Sequence, residues 1–533
     1  MRINFKLFAL LAVAGLTVVS CKKYLNTTPQ DVVVPGNYYN TETELRSALA
    51  GVYSYLAQDG TFSRNLPLEL EMGNDEGQYN NRNATVSNPA MYDCQSSTKI
   101  YSDCWTALYK GINAANLLLA NIDKSSVDST IKNPIKGEAL FLRGFFYFQL
   151  VIHYGDVPLI LTPSTQVTNP NYARTPSIQV YNQILADMKA AEPLVLDITA
   201  TNAPSHISKT AVQGIVSRVY LKMAGNPLKL GLPMYDSAKI WALKVVNSGA
   251  HSLNPDYRQI FINQSQDKYD YKECMWEIEF YGNNTPTGTM PPGSRFACLM
   301  SMRYTGGDPN PMIVYGYGAY TPTGTLDSLY GKSPNPAFQS FDTVRRYWNI
   351  PNYSYSTSSN PRTTITAAAS PWDRDCGKWK RDYETLVPKN RDWGPTNFPV
   401  LRYADVLLML AEAYNELGDV SNAQLYLNQV RARAQVGING LETSTDQSVL
   451  RQTIRDERSR ELCFEGLRKF DLIRWGIFYQ TMKEQRDLID ASTSSYKSRY
   501  LYTYNNVSYR DTLLPIPVSE ISVNNLMTQN PGW

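Results

Sequence analysis

The sequence predicts a mainly α protein: helical hairpins form its body, and a large lobe of loops and short strands is inserted between two of them. Three observations carry this expectation. LRYADVLLMLAEAYNELGDVSNAQLYLNQVRARA, from Leu401 to Ala434, places apolar residues at Leu407, Leu410, Ala411 and Tyr414 and again at Ala423, Leu427 and Val430, the spacing of two amphipathic helices. Two upstream segments share its pattern. The stretch 255–399 has no helical period at all.

In the hairpin, Gly418 is placed to take the left-handed conformation that ends the first helix, and Asp419 or Ser421 to cap the second. A connection this short makes the helices antiparallel neighbours, a tetratricopeptide-like pair with small Ala411 and Ala423 where the axes approach. Aligning Tyr220 with Tyr414 puts Ser217 at the Ala411 position and Ala238, Ala242 and Val245 opposite Ala423, Leu427 and Val430, after an insertion. Tyr147 aligns likewise, with Gly144 in the small position. Units of this kind bury their faces only by stacking, so interrupted repeats are expected over about 131–250 and 400–476. Chance recurrence of small-x-x-aromatic on amphipathic helices is the competing explanation.

The N-terminus reads as an export signal. Residues 1–20 carry Arg2 and Lys6, an apolar run from Leu7 to Val19, and VVS before Cys21. Those small and apolar residues resemble a bacterial lipoprotein processing site, with Cys21 as the acylated residue, 21–31 as a polar tether and 32–533 as one body. Several acyl chains, at roughly 0.8 kcal/mol per buried methylene, make a stable anchor without a spanning helix. No later run is long and apolar enough to span. The formal charge of +3 falls to +1 without Arg2 and Lys6, and no basic stretch points to nucleic acid.

Thr41–Gln58 is an amphipathic helix, with Thr41 and Glu44 forming a capping box. The Asn-rich segment after it is expected to be a loop that presents Asn74, Asp75, Glu76, Tyr79, Arg82 and Tyr92. In the next helix Trp105, Leu108, Ile112, Ala115 and Leu119 share one face, which assigns Trp105 to the core. Leu140–Ile152 is apolar nearly all round, hence buried, and stops at Gly155. Cys94, Cys104, Cys274, Cys298, Cys376 and Cys463 form no C-x-x-C, and export permits disulfides without requiring them.

The lobe alternates Gly, Pro, Asn and Ser with aromatic residues, and Met275–Phe280 alternates like a strand. Tyrosine is abundant, at 37 residues. Sugar sites need flat aromatic faces together with planar amide, carboxylate and guanidinium groups. Arg303, Tyr304, Asp308, Tyr315, Tyr317, Tyr320, Trp348 and Trp372 offer that chemistry.

Catalytic motifs are scarce. There are three histidines, His153, His206 and His251, with no H-E-x-x-H, no G-x-S-x-G and no Walker loop, so no metal or cofactor is expected. The acidic residues of Asp456–Lys469 stand at four-residue spacings among arginines, which reads as an ion-pair network on a helix rather than acid–base chemistry. Spacing alone leaves open a pair of glycosidase carboxylates, about 5 to 9.5 Å apart.

W-x-x-L-Y-x-x-I-x-x-A-N at Trp105–Asn116, YGDVPLI at Tyr154–Ile160, LRYADVLLMLAEAY, RSRELCFEGLRKFDLIRWG at Arg458–Gly476 and LLPIPVSEI to TQNPGW at the C-terminus occur in that order. Together they resemble the SusD/RagB family of Bacteroidetes outer-membrane lipoproteins. The resemblance implies a SusD-like fold and a surface lipoprotein that captures oligosaccharide for a SusC-type TonB-dependent transporter, with no catalytic residues. It also implies a ligand site on the lobe and the first polar loop, drawing on Asn74, Asp75, Tyr79, Arg82, Arg303, Tyr304, Tyr315, Trp348 and Trp372. Two other readings remain: a transporter lid for a non-sugar nutrient such as peptide, and a glycan-cleaving enzyme.

Overall fold

The computed structural model describes residues 38–80, 87–164, 171–282, 293–304, 315–331, 342–355, 362–364, 370–387, 389–437 and 440–533. Two expected residues, Cys21 and Arg82, lie outside them, as does Asp308. The body is helical. Three hairpins are formed by α3 (Ser129–Tyr154) with α4 (Ser177–Ala191), α5 (Lys209–Ala224) with α6 (Leu232–Asn247), and α8 (Tyr403–Glu416) with α9 (Val420–Arg433). They stack in sequence order. Because α4 packs on α5 and α6 on α8, the second and third hairpins touch although the lobe separates them along the chain.

The small positions do what close approach requires. A Cβ on Gly144 would stand 3.3 Å from the Ile184 carbonyl of α4. Ser217 Oγ donates to the Ala238 carbonyl at 2.8 Å, joining α5 to α6. Ala411 and Ala423 are fully buried. Between α8 and α9, Gly418 has φ +86°, and the Asp419 carboxylate accepts from Asn422 N at 3.1 Å.

Two helices flank the array on its N-terminal side, α1 (Glu42–Ser54) and α2 (Lys99–Ile122). The capping box forms, with Thr41 Oγ1 accepting from Glu44 N and Glu44 Oε2 from Thr41 N. Trp105 is buried. After α9 come α10 (Gln447–Leu462), packed on α8 and α9, then α11 (Arg468–Arg474), α12 (Phe478–Asp490) and α13 (Lys497–Asn506). The expected charged helix is thus two helices. Phe464 at φ +68° and Gly466 at φ +72° break it, so Glu461, Glu465 and Lys469 are not successive neighbours on one face.

The lobe opens with α7 (Tyr257–Ser265) and holds short helical turns at Phe296–Met300, Gly324–Leu329 and Thr343–Asn349 where loops were expected. Among the described residues three antiparallel strand pairs form, the first of them joining the first polar loop to the lobe: β1 (Gly77–Tyr79) with β3 (Tyr320–Pro322), β2 (Cys274–Ile278) with β6 (Phe398–Arg402), and β4 (Tyr353–Tyr355) with β5 (Arg362–Thr364). β2 and β6 are buried on both faces. Trp276 packs edge-on against Phe141 and Phe145 of α3, so lobe aromatics complete the main core. All six described cysteines are free and buried. Among the described residues no helix is long and apolar enough to cross a membrane.

Candidate functional site

The first polar loop and the lobe meet through the β1–β3 ribbon. Asn80 N extends the pairing to the Ala319 carbonyl at 2.9 Å, and Thr323 N donates to the Glu76 carbonyl at 3.0 Å. The side chains of Asn74, Asp75 and Glu76, however, point inward, contrary to expectation. Asn74 Nδ2 donates to the Glu71 carbonyl, while its Oδ1 accepts from Glu76 N and Gly77 N, closing a turn. Asp75 receives a bidentate pair from Arg468 of α11 at 2.8 and 2.7 Å. Glu76 accepts from Ser459 Oγ, and burial pushes its carboxyl up to about 8. Asn74 and Asp75 are structural because a buried carboxylate and amide need partners. For Asn74 they are local, whereas for Asp75 the partner comes from a helix almost four hundred residues away.

The partly exposed chemistry lies on lobe residues 303–304 and 315–317, just ahead of β3 in the chain. Tyr304, Tyr315 and Tyr317 form a half-buried shelf, with ring centroids 5.5 and 4.9 Å apart along the series. The Arg391 guanidinium lies 4.8 Å from the Tyr315 centroid and 5.5 Å from that of Tyr317, and its Nε donates to Tyr317 Oη at 3.1 Å. Tyr317 Oη in turn donates to Asp392. Burial and that bond push the Tyr317 phenol up to about 12. Beside them Arg303 places its guanidinium 3.6 Å from Asp375, and its N donates to the same carboxylate. Gly318, at φ +53°, lets the chain pass here, since a Cβ would stand 2.8 Å from Arg303 Cβ.

One buried residue that sequence reasoning missed organises the shelf. The Arg381 guanidinium donates to the carbonyls of Tyr315, Asn390, Arg391 and Trp393 and pairs with Glu384 at 2.9 Å. A planar fork with five donors can hold two loop segments in register.

Next to the shelf is an open groove of about 410 Å³, walled by Tyr347, Trp348, Tyr353, Tyr383 and the Asp256–Arg258 pair. Strand β4 links the two surfaces: Tyr353 lines the groove, while Tyr355 is buried and donates to Asp382 at 2.8 Å. Trp348, expected to be an exposed ring, is only 6% exposed. Its Nε1 donates to the Lys378 carbonyl, and the Lys380 ammonium sits 4.3 Å from its centroid. The exposed ring is its neighbour Tyr347, at 53%. Trp372 is likewise core, packed with Tyr92, Leu472 and Phe478 and seated against Gly324, where a Cβ would collide with its indole. Tyr79 is half-buried, edge-on to buried Tyr320. Of the expected set, Arg303, Tyr304 and Tyr315 remain together at the surface.

The acidic cluster of α10 is closed off by cations. Glu461 is bound by Arg345 and Arg402 at 2.9 Å and by Arg433. Glu457 is bound by Arg345, Arg431 and Arg460, and Glu465 by Lys378 and Arg402. Burial opposes ionisation, yet Arg433, Arg402 and Arg345 hold Glu461 down at about 2. These carboxylates are locked in an ion-pair network as expected, but apart from Arg460 on Glu457 the cations come from distant segments rather than from the flanking arginines.

Two family models match the chain, "SusD family" over residues 272–533 and "Starch-binding associating with outer membrane" over 23–221. The chain is 24% identical over 543 residues to SusD-like protein P25 of Formosa agariphila, covering 96% of this chain and 95% of that protein. It is 24% identical over 589 residues to the starch-binding protein SusD of Bacteroides thetaiotaomicron, covering 98% of each. Among solved structures, a SusD homolog from Bacteroides thetaiotaomicron superposes with a TM-score of 0.82 at 26% identity, covering 94% of this chain and 98% of that one. With one model matching the N-terminal part, the other matching the lobe and everything after it, and the fold matched over nearly its whole length, the chain belongs to the SusD/RagB family.

Proposed function

We propose that this protein is a surface glycan-binding lipoprotein, anchored through Cys21, that holds oligosaccharide on the lobe and passes it to a SusC-type TonB-dependent transporter in the outer membrane. The observation that carries the reading is the shelf of Tyr304, Tyr315 and Tyr317 with Arg391 laid against it. Ring faces take the C–H surface of a sugar, and guanidinium and carboxylate groups take its hydroxyls in pairs. The family description, which ties these proteins to starch and to the outer membrane, supports the same reading. So does the relative named as starch-binding. The acidic cluster at α10 offers no free acid–base pair, which favours capture over cleavage.

Tyr304→Ala and Tyr315→Ala should leave the melting temperature almost unchanged and weaken glycan binding by about 1–3 kcal/mol. Isothermal titration against a panel of glycans and peptides measures this. Binding to peptides alone would favour the transporter-lid reading, and release of reducing ends from a bound polysaccharide would make the protein an enzyme. Co-purification with the transporter encoded beside it tests the partner.

A further inference from the structure

One ammonium in the helical core has no counter-ion. Lys222 on α5 is 5% exposed; among the described residues it makes no hydrogen bond and has no carboxylate within ion-pair distance, its neighbours being the Phe470 ring at 5.6 Å and, beyond ion-pair distance, the Asp471 and Arg474 charges. It lines a cavity of about 60 Å³ between α3, α5, β6 and the segment 465–474, walled in part by Phe148, Gln149, Phe398 and Phe470. Arg218 lies in the same wall. Its Nη2 donates to Asp405 at 2.7 Å and to the Val400 carbonyl at 2.8 Å, but its buried Nε has no acceptor.

The other charges of the wall are matched. Arg458 and Arg474 both hold Asp471, with Asp405 and Glu412 as their second partners, and Glu465 is held by Lys378 and Arg402. Glu71 is the one carboxyl left over, and it is not a counter-ion. It lies beyond ion-pair distance of Lys222 and Arg218, its Oε1 is 3.3 Å from His153 Nε2, and burial lifts it well above the usual carboxylate range. His153 donates from Nδ1 to the Gln149 carbonyl at 2.8 Å, which leaves Nε2 as an acceptor on the side of Glu71. Burial keeps that imidazole neutral, with a pKa of about 3.

An unpaired buried cation is costly unless it sheds its proton or an anion neutralises it, and burial lowers the Lys222 ammonium to about 7. The cavity exceeds the roughly 10–15 Å³ that one water requires. We propose that it holds a small inorganic anion of halide size, bound by the Lys222 ammonium and the Arg218 Nε–H. The anion joins the first two hairpins to the segment carrying Arg468, and Arg468 holds Asp75 next to β1, the strand paired with β3.

The parent protein crystallised from sodium bromide should show an anomalous peak in this cavity, within hydrogen-bond distance of Lys222 Nζ. In solution its melting temperature should be several degrees higher in sodium chloride than in sodium gluconate at equal ionic strength. Lys222→Met should lose that difference and Glu71→Gln should keep it. No peak overturns the proposal, as does a cavity that refines with water alone. A peak without a salt-specific shift marks an adventitious ion only and also overturns it. If Lys222→Met does not fold, the bromide map and the two-salt comparison of the parent still decide.

Discussion

Glu461 shows how much a single side chain can tie together. It receives Arg345 from the lobe, Arg402 from β6 and Arg433 from α9, so removing its charge takes a partner from three buried guanidiniums, of which Arg345 keeps Asp342 and Glu457 and Arg402 keeps Glu273 and Glu465. Glu461→Gln should therefore cost roughly 3–5 kcal/mol, read from denaturant unfolding. Its folded pKa of about 2 lies below the ordinary 4.5, so its contribution is complete above about pH 4.5 and is lost as pH falls toward 2. Glu277 behaves oppositely. Burial raises it to about 8, with Asn397 as its hydrogen-bond donor, so stability declines as pH rises from about 4.5 to 8. Glu277→Gln should remove that decline, and its melting temperature should gain on the parent at pH 8.5 but not at pH 4.5. That the acidic stretch is an ion-pair network was legible, although among the described residues only Arg460 of the flanking arginines pairs within it, with Glu457. The parts played by Arg345 and Arg402 were not, since nothing local links them to α10.

At the scale of elements, the periodic segments were the legible ones. Hairpin spacing, the capping box at Thr41 and the stop at Gly418 are local properties of contiguous residues, and each is found where the pattern put it. Ala411 is fully buried on α8, which packs against α6, α9 and α10, so Ala411→Phe should cost roughly 1–3 kcal/mol by overpacking. An unchanged melting temperature would show that the position tolerates bulk and that its smallness is incidental. Aperiodic segments were less legible. Tyr347 and Trp348 are successive residues on one short helical turn, and side chains one apart leave a helix in different directions. Composition marked the turn as ring-rich, but only packing selects the ring that faces solvent.

For the whole molecule, the array closes over its own insertion: α6 and α8 meet as if the lobe were absent, and the lobe contributes Trp276 and Phe398 to the shared core. The proposed anchor lies at the other end of the chain, ahead of α1. Cys21→Ala should release the protein from membranes while leaving a folded soluble body, and a variant that still fractionates with membranes and carries labelled palmitate would refute the lipoprotein reading. By itself the sequence determined the helical class, the hairpin units, their caps and the family motifs, because each depends on residues within a turn or two of one another. Tertiary structure alone decided which polar groups face a ligand. Asn74 and Asp75 look like binding residues until the Glu71 carbonyl and Arg468 claim them, and Tyr315 and Arg391 come together only because buried Arg381 gathers both backbones. Whether a polar side chain is free is set by every group that folding brings near it, and most of those groups are distant in sequence.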